Sequence, residues 1–211
     1  MTHDQPISKR LVLMTLLVAT LFTCCAHAKE SFKGAKQAII QTNLGYIQIE
    51  LYADKAPITV NNFIRYIQAG AFNSGRFYRV VRLDNDNGAP KIEVIQGGAD
   101  PEFKDYSPIP LETTKQSGIK HLDGTLSMAR GEPNSATSMF FICVGAQPSL
   151  DFGGTRNPDG QGFATFGKVI KGMDIVKKIH QIKDALEVED DYVKGQMLAK
   201  PVKILKIDLV Q

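Results

Sequence analysis

Apolar and polar side chains alternate through Tyr46-Ile47-Gln48-Ile49-Glu50-Leu51, and the chain closes on a second alternating run over 202–210, with apolar residues at Ile204, Leu205, Ile207 and Leu209. A period of two sends successive side chains to opposite sides of a strand, so such runs are stable only in a sheet with one buried face. Ala38-Ile39-Ile40-Gln41-Thr42 precedes the first run across Asn43-Leu44-Gly45, which predicts a hairpin. Further β-rich runs stand at 77–83, 92–95, 126–129, 139–144 and 163–169. Helical spacing occurs at Val60, Phe63, Ile64 and Ile67, behind Pro57 and before Gly70, and again at Met173, Ile175, Val176 and Ile179, opened by Gly172 or Asp174. Many short strands and two helices, with no repeat and no linker, predict a closed or nearly closed antiparallel barrel with helices over its ends.

The first residues stand apart from this pattern. Lys9 and Arg10 precede an apolar run from Leu11 to about Phe22, and Ala26-His27-Ala28 follows. A basic start, a short apolar stretch and small residues around one position describe a secretory signal cleaved after Ala28. The run is shorter than the roughly 20 apolar residues of a membrane span. Cys24 and Cys25 raise lipid modification as the alternative, against which stand the bulky Leu21-Phe22-Thr23 just before them. The division is therefore a signal over 1–28 and a single domain over 29–211, soluble, monomeric and periplasmic after export. Outside 1–28 the one cysteine is Cys143, which excludes an internal disulfide. Two of the 25 basic and one of the 22 acidic residues lie in 1–28, leaving a net charge of +2, too small to argue for nucleic acid. The polar runs 84–88 and 187–191 read as solvated loops. The Gly/Asn/Asp/Pro stretch over 151–162 reads as a surface insertion near a site.

Chemistry-bearing clusters are sparse. His27 leaves with the signal, and His3, His121 and His180 show no ligand spacing, so no metal or other cofactor is expected. Ser127 and Ser138 show no paired-histidine pattern that would make a nucleophile.

Five segments read in order carry a specific resemblance. Thr42-Asn43-Leu44-Gly45 leads through Ile49-Glu50-Leu51 to Ala56-Pro57-Ile58-Thr59-Val60-Asn61-Asn62-Phe63. Then come Phe77-Tyr78-Arg79-Val80-Val81 and Ile95-Gln96-Gly97-Gly98. Leu126-Ser127-Met128-Ala129-Arg130 runs through Pro133-Asn134 to Ser138-Met139-Phe140-Phe141-Ile142, and Phe166-Gly167-Lys168-Val169 closes the set. Over about residues 36–210 the chain resembles the cyclophilin family, in its bacterial exported form. The resemblance implies an eight-stranded antiparallel closed barrel capped by two α-helices, with the active face on its outside. It also implies rotation about the peptide bond before proline in unfolded or folding exported polypeptides, without a covalent intermediate.

By the same resemblance Arg79 is the catalytic residue, with Gln96 orienting it or holding the substrate backbone. Ala129, Arg130 and Gly131 lie beside the substrate chain, where small residues let two backbones pair. Phe141 forms the floor of a proline pocket walled by Val94, Met139, Leu150 and Phe163, with Phe77 nearby or in the core. Alternation sends one ring of Phe140-Phe141 inward and one outward, and the family register makes Phe141 the outward one. Several positions depart from the family's common pattern. Ile92-Glu93-Val94 stands where an aromatic is usual, Ser149 where a tryptophan is, Met139 for glutamine, Phe163 for histidine and Arg130 for asparagine. Ser149 argues against tight binding of the cyclic peptide drug associated with the family. The changes at Glu93, Met139 and Ser149 leave open a second reading, a peptide-binding or chaperone module that no longer turns over.

Overall fold

The alternating runs become the wall of a barrel. The computed structural model describes residue 1 and residues 35–210. Apart from Met1, the export segment over 1–28, its cleavage point at Ala28, and Cys24 and Cys25 lie outside the described residues.

β1 (Ala35–Thr42) and β2 (Gly45–Tyr52) form the hairpin, paired from Thr42 opposite Gly45. The Thr42 hydroxyl donates to the Gly45 carbonyl at 2.8 Å and accepts from the Leu44 N–H at 3.1 Å, which closes the turn locally. The remaining strands are β3 (Arg76–Val81), β4 (Val94–Gly98), β5 (Thr125–Met128), β6 (Phe140–Cys143), β7 (Thr165–Lys171) and β8 (Met197–Val210). They close in the order β1-β2-β7-β5-β6-β4-β3-β8, every pair antiparallel. Closure removes the free sheet edges on which chains aggregate. In β8 the apolar pattern changes phase between Ile204 and Leu205, and the pairing with β1 shifts register at the same place. Ile204 and Ile207 stay buried while Leu205 faces solvent, so a bulge absorbs the extra residue.

α1 (Pro57–Gln68) and α3 (Met173–His180) are the two helices that the spacing predicts. A third, α2 (Thr114–Ser117), is a single turn closed by a capping box between Thr113 and Gln116, too short to leave a periodic signal. The interior packs a group of phenylalanines among aliphatic side chains. Phe63 of α1 meets Phe72, Phe140 and Phe166 at centroid distances of 5.1, 5.4 and 5.1 Å, and Phe77 meets Phe140 at 5.7 Å. Such pairs add about 0.5–1.5 kcal/mol each beyond their burial. Phe77 is fully buried in this interior, which removes it from the substrate residues: its register on β3 turns it away from any ligand.

A smaller apolar cluster is built from Val81, Ile92, Val94, Phe141, Cys143 and Leu150, with Ala129 and Phe163 against it. Alternation along β6 thus divides two neighbouring rings between two cores, Phe140 to the barrel and Phe141 to its outside.

The start of α1 depends on a distant residue. Ala56 at the N-cap has no side chain to accept the free N–H groups of the first turn. Glu112 does so instead: Oε1 accepts from the Ile58 N–H at 3.1 Å, and Oε2 from the Thr59 N–H at 2.8 Å and the Thr59 hydroxyl at 2.6 Å. Replacing Glu112 by Ala strands these donors and is expected to cost about 1–3 kcal/mol in urea unfolding. An unchanged midpoint would mean that water replaces the carboxylate without loss.

Candidate active site

The site grows from an irregularity in β3. Phe77 pairs with Gly97 and Arg79 with Gln96, so the register shifts between them and Tyr78 is the additional residue. The shift breaks inward–outward alternation and brings Tyr78 and Arg79, side by side, to the half-buried outer face. Across the pair Arg79 Nη1 donates to Gln96 Oε1 at 3.1 Å, and Gln96 Nε2 donates to the Tyr78 hydroxyl at 2.8 Å. The Tyr78 hydroxyl donates in turn to Met139 Sδ at 2.9 Å. The glycine after Gln96 is required by packing: a Cβ at Gly97 would stand 2.8 Å from both the Arg76 carbonyl and the Phe77 ring.

A second amide holds the other side of the guanidinium. Gln196 Oε1 accepts from Arg79 Nε at 2.9 Å and from Nη2 at 2.6 Å. Its Nε2 donates to the carbonyls of Asn85 at 3.0 Å and Tyr192 at 3.1 Å, and the side chain is buried. The Tyr192 ring lies 5.3 Å from Arg79 Cζ and 5.7 Å from Arg156 Cζ, within cation–π range of both.

These groups rim a pocket of about 140 Å³ whose apolar lining is Val81, Ile92, Val94, Ala129, Phe141, Leu150 and Phe163. Of the residues expected from sequence, Arg79, Gln96, Val94, Ala129, Arg130, Phe141, Leu150 and Phe163 meet here. Phe77, Met139 and Gly131 do not. Phe77 is inside the barrel, and Met139 lines a separate cavity beside Tyr78 and Gly98. Gly131 sits in a turn that closes on its own N–H, bonded to Ser135 Oγ at 3.0 Å. Val81, Ile92, Arg156, Asn157 and Tyr192 also line the pocket, while Gln196 stands directly behind Arg79. No sequence signal marked Tyr192 or Gln196, which precede β8 in a polar stretch without periodicity.

Two further arginines at the pocket are spent on carboxylates. Arg130 reaches both oxygens of Asp159 at 2.8 and 3.0 Å and the Gly162 carbonyl at 2.6 Å, and it lies 5.2 Å from the Phe163 ring. Arg156 is fork-bonded to Asp86 with both contacts at 2.8 Å, and it also donates to the Pro90 carbonyl and the Tyr192 hydroxyl. Asp84 and Asn87 of the 84–88 run are exposed as a solvated loop requires, but Asp86 departs from that reading. Asp86 is buried, because it takes Arg156 and the N–H groups of Gly88 and Ile92. Asn85 and Asn87 donate to the carbonyls of Gly195 and Lys194, binding that loop to the strap before β8.

Beneath the floor lies a buried relay. The His121 ring stacks on Phe141 at 5.9 Å with an 11° interplanar angle. Its Nδ1 is 2.8 Å from Asp151 Oδ1 and its Nε2 is 3.0 Å from Ser127 Oγ. Ser127 therefore does have a histidine partner, reached through the fold. With Ser127 fully buried and His121 at 1 % exposure, no substrate touches this triad, and it acts as a brace for the floor. Burial pushes the His121 pKa below its usual value, outweighing the raising effect of Asp151. Burial opposes ionisation of Asp151, yet the hydrogen bonds from His121 hold its carboxyl below the usual range. A neutral imidazole that donates to Asp151 and accepts from Ser127 satisfies both directions. Burial also pushes up the Tyr78 phenol, so it stays protonated, and raises the Cys143 thiol, which keeps that residue an inert apolar filler.

Comparison with known proteins gives one consistent answer. Residues 38–209 match the sequence profile of the family described as cyclophilin type peptidyl-prolyl cis-trans isomerase/CLD. A peptidyl-prolyl cis-trans isomerase of Acinetobacter baylyi is 37% identical over 172 residues, which cover 81% of this chain and 83% of that protein. Peptidyl-prolyl cis-trans isomerase B of Escherichia coli is 40% identical over 141 residues, 65% of this chain and 80% of that one. Among solved structures, a cyclophilin type peptidyl-prolyl cis-trans isomerase of Cryptosporidium parvum superposes with a TM-score of 0.63 at 21% identity, covering 84% of this chain and 99% of that chain. It carries the likeness of fold.

The buried relay sets a pH dependence of stability. A histidine whose folded pKa lies below its unfolded value of 6.5 contributes fully above that pH, and its contribution is lost as pH falls. The Asp151 contribution has the same sign and is lost at lower pH, below its unfolded value of 3.8. Between about pH 7.5 and about pH 5 the wild-type chain is expected to lose more unfolding free energy than His121→Asn, measured by urea titration at each pH. Parallel losses in the two proteins would exclude His121 as the source.

Proposed function

This chain belongs to the cyclophilin-type peptidyl-prolyl cis-trans isomerase family, and from that premise we propose that it isomerises Xaa-Pro bonds with the Arg79 guanidinium as electrostatic catalyst and the Phe141 pocket as proline seat. One observation carries the assignment. Of the three guanidinium groups at the pocket, Arg130 and Arg156 are neutralised by Asp159 and Asp86, whereas Arg79 is held only by the uncharged oxygens of Gln96 and Gln196. Its positive charge is left for the substrate.

The barrier to be lowered is amide resonance, about 18–20 kcal/mol. At the twisted geometry the conjugation is lost, the carbonyl oxygen has turned, and the prolyl nitrogen regains its lone pair. A donor fixed where that geometry presents its oxygen or nitrogen binds the twisted amide better than either planar isomer, which is what acceleration requires. Arg79 donates three of its five N–H groups to the two glutamines, and the other two have no acceptor among the described residues. The apolar lining from Val94 to Phe163 takes the pyrrolidine ring and excludes water from the reacting amide. Ala129, with no bulk above its backbone, leaves room for the substrate chain alongside. No covalent bond or proton transfer enters the reaction.

We also read the chain as exported and acting on unfolded or folding periplasmic clients, as a monomer. The support is the basic start at Lys9 and Arg10, the short apolar run and the small residues at Ala26 and Ala28. No helix among the described residues is long and apolar enough to cross a membrane. Mass spectrometry of the protein recovered from the periplasm is expected to show a chain beginning at Lys29, and a chain retaining Met1 inside the cell overturns this reading.

Two measurements test the catalytic assignment. Arg79→Ala is expected to lower kcat/KM for a short Ala-Ala-Pro-Phe peptide by roughly a hundredfold, the scale of removing one preorganised donor. Equal rates for the two proteins would sink it. Between about pH 7 and 9 the wild-type rate is expected to stay flat, since arginine remains protonated and the raised Tyr78 stays neutral. A bell-shaped profile over that range would point to a titrating acid or base instead.

A further inference from the structure

We infer that Gln196 is a positioning residue for Arg79: it fixes the guanidinium through a neutral acceptor, so that orientation is gained without loss of charge. The inference rests on the proposed role of Arg79 and adds to it what sets that side chain's geometry.

The contacts of Gln196 leave its amide one workable orientation. Two backbone carbonyls, those of Asn85 and Tyr192, face its Nε2, and two guanidinium N–H groups face its Oε1. Turning the amide over would set its NH₂ against Arg79 and its oxygen against two carbonyls, so four contacts would become repulsive at once. The residue is only 1% exposed, and its own carbonyl accepts from the Val80 N–H at 2.8 Å, tying it to β3 one residue beyond Arg79. Its support is also fixed. Asn85 Nδ2 donates to the Gly195 carbonyl at 2.8 Å and the Val80 carbonyl at 3.1 Å, and Asn87 Nδ2 to the Lys194 carbonyl at 2.9 Å. Tyr192 lies over the Arg79 guanidinium, and Arg156 bonds its hydroxyl at 3.2 Å.

A long arginine side chain on a surface strand samples many rotamers, and ordering it is costly in entropy. Gln196 removes that cost ahead of substrate binding, and it binds Nε and Nη2, the edge opposite Nη1, which Gln96 holds. A carboxylate at this place would orient the guanidinium as well. It would also place a negative charge at hydrogen-bond distance and cancel the field at the pocket.

Four variants of the full mature chain and one spectrum decide the matter. Gln196→Leu is expected to lower kcat for the Ala-Ala-Pro-Phe peptide by about ten- to a hundredfold, the scale of a small misplacement of a catalytic group, with KM within about twofold. In a ¹⁵N spectrum the wild-type Arg79 Nε–H, assigned by its loss in Arg79→Lys, is expected to be protected from solvent exchange, and this protection disappears in Gln196→Leu. Gln196→Glu is expected to keep the protected Nε–H and still lose kcat, because the group is held but neutralised. A Gln196→Leu enzyme with wild-type kcat overturns the inference, as does a Gln196→Glu enzyme with wild-type kcat. Should Gln196→Leu fail to fold, the wild-type spectrum still decides: an Arg79 Nε–H exchanging as fast as that of an exposed arginine refutes the fixed guanidinium. A fully active Arg79→Lys or Arg79→Ala chain would remove the underlying role of Arg79, a failure distinct from loss of the Gln196 effect alone.

Discussion

Phe63, Phe72, Phe77, Phe140 and Phe166 pack at tilted and edge-to-face angles among aliphatic side chains within a wall closed on all sides, and side chains occupy that interior. Any site must therefore be made on the outer surface, where a strand offers only every second side chain. That constraint explains why the apolar lining is a thin second layer, built where β3, β4 and β6 run side by side and closed by Leu150 and Phe163 from the connections beyond. It also explains the break in β3. Regular alternation through Phe77, Tyr78 and Arg79 could not keep Phe77 in the core while presenting two consecutive polar side chains to the same face, and the register shift allows it.

Much of this was legible in the sequence because it follows from period two and from ordered local motifs. The alternation at Tyr46–Leu51 fixed which face of β2 is buried, and the Phe140-Phe141 pair announced one ring for each side of the wall. Arg79, Gln96 and Phe141 sit in strands, so their register carries them to one place, while Leu150 and Phe163 reach it from the connection between β6 and β7. Where an apparently regular run contained a phase change, as at Ile204-Leu205, the structure answers with a bulge. Phe77 was the ambiguous aromatic because nothing in the strand's own sequence tells where the register shift falls.

The illegible part is made of contacts between segments with no periodicity. Asn85, Asp86 and Asn87 look like solvated loop residues, since Asp and Asn favour turns whether or not anything lies over them. Only the fold shows that Asn85 and Asn87 are bonded to the strap at 192–196, with more than a hundred positions of sequence between Asn85 and Gln196. Ser127 and His121 are six residues apart, a spacing with no meaning until Asp151 arrives from thirty residues beyond the histidine. The two rings expected, one in the Ile92-Glu93-Val94 region and one at Ser149, are likewise absent from local sequence. An aromatic stands at the pocket nonetheless, Tyr192, brought by the strap to the rim beside Arg79.

The arginines at the pocket show how one residue type is given different work by its acceptor. Arg156 and Asp86 are both buried, and at such a place an unpaired charge is costly enough that the carboxylate partner is obligatory. Their pair ties the 84–88 loop to the 151–162 insertion, a structural result that consumes both charges. Arg130 does the same at the rim with Asp159, which helps to fix Phe163 beneath it. Arg79 is half-buried, so solvent can still relieve part of its charge, and neutral amides suffice to hold it. On the role proposed for Arg79, the requirement for a neutral partner is functional rather than structural: a carboxylate would hold the guanidinium as well and would weaken its attraction for a carbonyl oxygen that turns toward it. On this argument the glutamines at 96 and 196 are as much a part of the electrostatic site as the charge they orient.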